Sequence, residues 1–217
     1  MNIHTFLSPC LALLIGFFCV AHAHAGRPLS VDDANVNDPG DGQVEAWLTR
    51  GPNGAQMWSV APAYAPIDGM ELSAGFARDR ASGLETRNLQ AKFRLTPSQD
   101  NGCNAGAVLG AAASTAASTT GYVNALFTCN HSQLGSFHSN LGAQDFSSRQ
   151  RVGTWGLAWE RGFGQLTAHV EVYGQQHEKP AWASGVRMNV DAQWQLDTSL
   201  VRQDRLNTLT LGTKWAF

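Results

Sequence analysis

The chain has 217 residues, of which 43% are hydrophobic and only 15% charged, against roughly 25% charged in ordinary soluble domains. Lys and Arg number 15 and Asp and Glu 17, a formal net charge of −2, so there is no basic excess of the kind a nucleic-acid binder carries. The content of apolar and aromatic residues excludes a disordered chain. The mean hydropathy is nevertheless slightly negative, so the apolar residues must be dispersed rather than gathered into long runs.

In chain order, residues 1–25 hold no Asp, Glu, Lys or Arg, and an apolar run at 11–20 is followed by Ala23 and Ala25. Small residues at those two positions fit the A-x-A rule and predict a cleaved signal peptide ending at Ala25, although its first segment lacks a basic residue. The apolar core is too short for a spanning helix, which needs about 20 residues. Export implies an oxidising compartment, where a disulfide is the default state of the two remaining cysteines, Cys103 and Cys129. Residues 26–42 form an acidic leader with one Arg and four Asp. It reads best as a solvated tail. A cation site built from Asp32, Asp33, Asp38 and Asp41, or a plug folded into an interior, are the alternatives.

From Gln43 the pattern changes to short segments that alternate apolar and polar residues, with turn residues between them. Period-two alternation with regular turns is a strand signal. Twelve segments follow, near 43–50, 56–65, 70–79, 85–96, 105–113, 121–130, 135–144, 152–161, 165–174, 181–190, 194–203 and 206–217. Strands of roughly ten residues joined by tight turns suit a transmembrane antiparallel up-and-down β-barrel of about twelve strands. Ten strands are the alternative, if two weak segments are loops. The uncharged stretch 101–144 could be taken for a buried helix. Gly106, Gly110, Ser114, Thr115 and Gly121 interrupt it, so a hairpin turning around 114–120 fits better.

Alternation alone does not separate a soluble sandwich from a membrane barrel, because only the destination of the apolar face differs. The aromatics favour the barrel. Trp58 and Tyr64 bracket the second segment, Trp182 and Trp194 open the tenth and eleventh, and Trp155 and Trp159 share the apolar face of the eighth. Such placement matches the interfacial girdles of a membrane barrel. Trp47 departs from this, since it shares a face with Glu45 and Thr49, and reads as an interior residue or a register error. The polar faces carry nearly balanced charge. Glu45, Glu71, Glu160, Glu171 and Asp197 stand against Lys92, Arg94, Arg187 and Lys214, with His169 nearby. Hairpin register sets Arg187 opposite Asp197 and Glu71 beside Lys92 and Arg94, and closure of the last strand on the first would bring Lys214 to Glu45. These ten residues are the expected lumen lining, since a cation facing lipid at mid-depth costs about 2–4 kcal/mol.

The chain ends Leu209-Thr210-Leu211-Gly212-Thr213-Lys214-Trp215-Ala216-Phe217. Here it resembles bacterial outer-membrane β-barrel proteins, whose last strand ends in an aromatic residue recognised by the barrel-assembly machinery. The resemblance implies that Leu209, Leu211, Trp215 and Phe217 are the assembly signal. It also implies that the lipid of the outer membrane and the assembly machinery are the partners. The opening RPLSVDDANVND followed by QVEAW makes the mature chain similar to small proteobacterial outer-membrane barrels of unassigned role. It is loosely similar, too, to transporter-like barrels associated with aromatic-degradation pathways.

Cys103 and Cys129 fall at the same rim of one hairpin, so a disulfide there would close a loop of about 25 residues and add about 3 kcal/mol. Ser136, His138 and Asn140 alternate on one face of the seventh segment. Their residue types match those of the outer-membrane phospholipase, also a twelve-stranded barrel, but neighbours along one strand are not a nucleophile, base and orienter in reach of each other. No histidine spacing suggests a metal site, and no cofactor is implied. The expectation is a non-enzymatic barrel, a narrow pore or transporter for a small solute. A non-conducting structural or envelope-interaction barrel is the alternative, with a lipid-modifying enzyme behind both.

Overall fold

The structure, a computed structural model, describes residues 29–145 and 151–217. The expected signal peptide, residues 1–25, and the start of the leader lie outside the described residues.

Twelve strands run β1 Gly42–Arg50, β2 Gln56–Ile67, β3 Met70–Asp79, β4 Glu85–Arg94, β5 Gly102–Ser114, β6 Ala117–His131, β7 Gly135–Asp145, β8 Arg151–Phe163, β9 Leu166–Gln175, β10 Ala181–Asn189, β11 Trp194–Gln203 and β12 Leu206–Ala216. Each pairs antiparallel with its sequence neighbours, and β12 returns to β1 to close the barrel. Closure leaves no strand edge unpaired, the condition for a sheet to cross a bilayer. At the seam Gly42 and Phe217 exchange backbone hydrogen bonds of 2.8 and 2.9 Å, continuing the β1–β12 ladder to the last residue.

The connections are short because the strands are neighbours in sequence. Gly69 and Gly164 take positive φ, 75° and 67°, which two-residue hairpin turns require and which glycine adopts without steric cost. At the rim opposite the termini, none of the described connections exceeds five residues. The hairpin expected to turn around 114–120 is tighter, with β5 and β6 running to Ser114 and from Ala117. Small polar residues do not stop a strand whose backbone groups are all paired by its neighbours.

Apolar side chains face outward. Leu89 and Leu141 are each 68% exposed, whereas a soluble sandwich would have buried them. Tryptophans gather toward the strand ends of this exterior. Trp58 packs on Phe76 at one rim, and Trp194, Trp215 and Phe217 stack at the other. Trp159 donates its indole N–H to the Leu134 carbonyl, 2.7 Å away. Polar side chains face inward, and buried Glu, Asp, Lys, Arg and His line the interior. The only continuous apolar cluster among the described residues is small. It joins Val108 of β5 and Leu126 of β6 to Ala34, a residue of the leader.

That contact overturns the reading of the leader as a solvated tail. Residues 29–41 enter the barrel at the rim that holds the termini. Gly40 donates to the Ala65 carbonyl, and Ala65 to the Asp41 carbonyl, where the β2–β3 register shifts. The segment then runs inward with Val31, Asp33, Ala34 and Val36 buried.

Candidate functional site

The interior is divided between this plug and the space beside it. The plug is held by backbone groups that would otherwise lose water without replacement, a cost of about 1–3 kcal/mol each. Glu171 of β9 accepts the N–H groups of Ser30 and Val31 at 2.7 and 2.9 Å. Asn140 of β7 both accepts from Asp32 N–H and donates to its carbonyl, each at 2.7 Å. Thr128 of β6 accepts from Ala34 N–H at 2.9 Å, and Glu71 of β3 from Asn37 N–H at 3.1 Å. The Asn104 amide donates to the Asn35 side chain. Lys92 of β4 is the cation of the assembly. Its ammonium lies 2.7 Å from Asp32 and 3.5 Å from Asp33.

Two wall glycines make room. A Cβ at Gly156 would lie 2.6 Å from Cγ2 of Val31, and one at Gly106 would lie 3.1 to 3.2 Å from the Ala34 backbone. Glycine in a strand interior marks such a close approach. The plug therefore seats on the β5–β9 side of the barrel.

On the other side a cavity of about 750 Å³ remains, lined by the plug and chiefly by β1–β4, β11 and β12. Its lining runs from Gln43 and Ala63 near the rim of the termini to Met57, Gln203 and Thr208 near the opposite rim. A closed barrel with a polar cleft along its interior can admit a small solute. Among the described residues of the lining there is no arrangement that activates one.

The expected lumen residues fall as follows. Glu71 and Lys92 are direct cross-strand partners, as are Glu45 and Lys214, and Arg187 and Asp197. The Arg187 guanidinium also reaches Glu160, two strands away, at 2.6 Å. Glu171 serves the plug, and His169 is buried. Arg94 differs. It pairs with Asp68 of the β2–β3 turn at 2.6 Å, because it is the last residue of β4 and so belongs to the rim. Trp47 is interior, lining the cavity beside Glu45 and Thr49. Leu209, Leu211 and Trp215 share the exterior face of β12, and Phe217, just past its end, is exposed as well. Cys103 and Cys129 are register partners and form a disulfide near the rim of the termini.

Ser136, His138 and Asn140 all point inward but serve different partners. Ser136 donates to Asn130, His138 bonds Thr128 at 3.0 Å, and Asn140 holds the plug. Thr128, missed in the sequence, forms with His138 and Glu160 a hydroxyl–imidazole–carboxylate row. The row lies buried beneath Ala34, and Arg187 pairs with its carboxylate.

A closed antiparallel barrel with an apolar exterior and a polar, partly filled interior is the architecture of outer-membrane β-barrel proteins. Residues 13–217 match the family described as uncharacterised conserved protein UCP029691, and the chain belongs to it. No curated protein matches the sequence. Among solved structures, the chain is similar to the KdgM porin in complex with disordered oligogalacturonate, at 8% identity and TM-score 0.67, covering 81% of this chain and 99% of that one. It is similar to the NanC porin at 8% identity and TM-score 0.66, covering 79% and 98%. The COG4313 outer membrane channel from Pseudomonas putida F1 follows at 12% identity and TM-score 0.57, covering 87% and 100%. The shared feature is the fold.

Proposed function

We propose that the protein is a narrow outer-membrane pore, restricted by its own N-terminal segment, that passes small uncharged or cationic solutes. The observation that carries this reading is the polar cleft beside the plug, which extends toward both rims within a closed wall. The charge inside sets the sign. Among the described residues, Asp32, Asp33, Glu45, Glu71, Glu160, Glu171 and Asp197 face Lys92, Arg187 and Lys214, with Arg87 at the edge of the lining. An acidic excess between low-dielectric walls concentrates cations and repels anions. The KdgM porin is described with an oligogalacturonate, an acidic sugar; the charge here argues for a different cargo. The assembly signal at Leu209, Leu211, Trp215 and Phe217, engaging the barrel-assembly machinery, and a lipid belt around the exterior belong to the same proposal.

The test is conductance of the refolded barrel in a planar bilayer under a KCl gradient. Small steps with a cation-selective reversal potential are expected. The plug itself favours a second reading, a closed structural barrel. Removal of residues 29–37 separates the two. Silence of both the intact and the shortened protein would leave only the structural barrel.

A further inference from the structure

The cations of the wall are not spread evenly. Among the described residues, Lys92, Arg187 and Lys214 lie in the interior, and only Arg94 and Arg161 stand at the rim of the termini. Every other described Lys or Arg lies at the opposite rim. Arg50, Arg78, Arg80 and Arg87 meet there on the exterior of β1–β4, in rows fixed by the strand register. Arg50 is opposite Gln56, whose carbonyl accepts the Arg80 N–H at 2.7 Å. One row deeper, Trp58 is opposite Arg78, and Arg78 opposite Glu85. In the next row Phe76 is opposite Arg87. The strand neighbours Thr49, Ser59, Ala77 and Thr86 line the cleft, so the side chains of Arg50, Trp58, Arg78 and Arg87 face outward.

The cluster carries more positive charge than its surroundings cancel. The four arginines are exposed. Glu85 stands between Arg78 and Arg87, at 3.5 and 3.2 Å, so that two guanidiniums share one carboxylate. Such exposed pairs are weak and exchange partners readily. Asp79 is occupied in the β3–β4 turn, where it accepts the N–H groups of Ala81 and Ser82. Among the described residues Arg50 and Arg80 have no ion pair. The Arg87 guanidinium lies over the Phe76 ring, 6.0 Å from its centroid, and Phe76 packs on Trp58 at 5.4 Å. Leu89, the next outward residue after Arg87 on β4, belongs to the lipid-facing belt. Cations so close to lipid are costly unless water or an anion meets them.

Beside the arginines the wall is indented. Leu211, Leu48 and Trp58 form one outward row, and Thr213, Ala46 and Val60 the row beneath it. Small side chains below large ones leave an apolar furrow of about 520 Å³. It starts one row below Arg50, on the side away from the rim, at the depth of acyl chains.

This order of features, guanidiniums at the rim, aromatic rings next and an apolar furrow beneath, matches one kind of molecule. Guanidinium forks bind phosphate oxygens in pairs. Basic clusters beside a bilayer recognise anionic headgroups, and aromatic rings sit at headgroup depth. We infer that the exterior of β1–β4 at the rim opposite the termini is a binding site for a phosphorylated lipid. Its phosphate groups would be held by Arg50, Arg78, Arg80 and Arg87, and one acyl chain would lie in the furrow. A free phosphate ion would leave the furrow unused. The inference concerns the outside of the wall and stands whether or not the lumen conducts.

The experiment is native mass spectrometry of the full mature chain released from neutral detergent micelles and titrated with lipid A, a diphosphorylated, acylated glucosamine disaccharide. Heat-modifiable gel mobility checks the fold of every variant. A lipid A complex is expected, and lipid A stripped of its phosphates should bind about ten-fold more weakly or worse. Each of Arg50→Gln, Arg78→Gln, Arg80→Gln and Arg87→Gln should weaken binding about five-fold, the equivalent of about 1 kcal/mol for a basic residue beside an anionic surface. Arg161→Gln, at the other rim, should leave binding unchanged. Glu85→Gln removes two ion pairs yet should tighten binding, which a merely structural role for those pairs would not produce. Ala46→Trp, which fills the furrow, should weaken binding with every arginine in place. Equal binding of the dephosphorylated lipid overturns the inference. So do indifference to the four arginine replacements combined, indifference to Ala46→Trp, and displacement of lipid A by inorganic phosphate at millimolar concentration.

Discussion

Lys92→Met should loosen the plug while leaving the barrel folded. The side chain of Lys92 is 6% exposed and that of Asp33 1%, while Asp32 is 36% exposed toward the cleft. Removing one member of a buried ion pair costs about 3–5 kcal/mol, because the remaining charge stays desolvated. The lower end applies here, since the exposed edge of Asp32 is screened by water. About 3 kcal/mol, at 1.4 kcal/mol per tenfold, shifts the ratio of docked to released plug roughly a hundred-fold. The assay uses an Ala34→Cys background, since Ala34 is fully buried, and follows labelling of the introduced thiol by a maleimide. Labelling through transient opening tracks the released population, so the rate should rise by the same factor. Asp33→Asn combined with Lys92→Met removes the buried charge as well as its partner and should recover most of the loss. If Lys92→Met labels at the parental rate, the pair does not hold the plug and the reasoning fails.

Gly156→Val should release the plug by steric means, given the 2.6 Å separation between an added Cβ and Val31 Cγ2; maleimide labelling in the Ala34→Cys background should accelerate, and Val31→Gly in the same chain should reverse it. Replacing Cys103 and Cys129 by Ala removes a cross-link between residues 26 apart. It should lower barrel stability by about 3 kcal/mol, read from the urea midpoint on heat-modifiable gels. Phe217→Ala removes the ring contact with Trp215, 4.9 Å between centroids, but keeps the backbone bonds to Gly42. The folded fraction in lipid vesicles should fall by the equivalent of about 1 kcal/mol.

The wall of this protein is legible in its sequence, and the contents are not. Alternation reveals strands wherever one face meets lipid and the other a polar interior, as at Leu89, Ala91 and Phe93 against Gln90, Lys92 and Arg94. Counting along hairpins then yields Glu71 with Lys92 and Arg187 with Asp197, because register in a meander is set by its turns. The seam pair of Glu45 and Lys214 needs only the further idea of closure. The plug escapes this logic. Its hydrogen bonds go to side chains 34 to 141 residues away, and an acidic segment with Pro and Gly has the composition of a tail. The usable signal lay in the wall, where Gly106 and Gly156 leave the inward face bare at positions a filled barrel would use. Lys92 offered another: a buried lysine whose strand neighbour supplies one carboxylate, while two more arrive from the leader.

The brevity of the connections at the rim opposite the termini has a consequence for what the protein shows to its surroundings. With the termini on the inner side of the membrane, that rim would be the cell's outer face. Long surface loops are what bacteriophages grip, antibodies recognise and proteases nick. Among the described connections there, none is longer than five residues, so little of their backbone rises above the headgroups. The protein would be nearly flush with the membrane, a poor antigen and a poor receptor, and a site for display of an inserted peptide only if a connection were lengthened first.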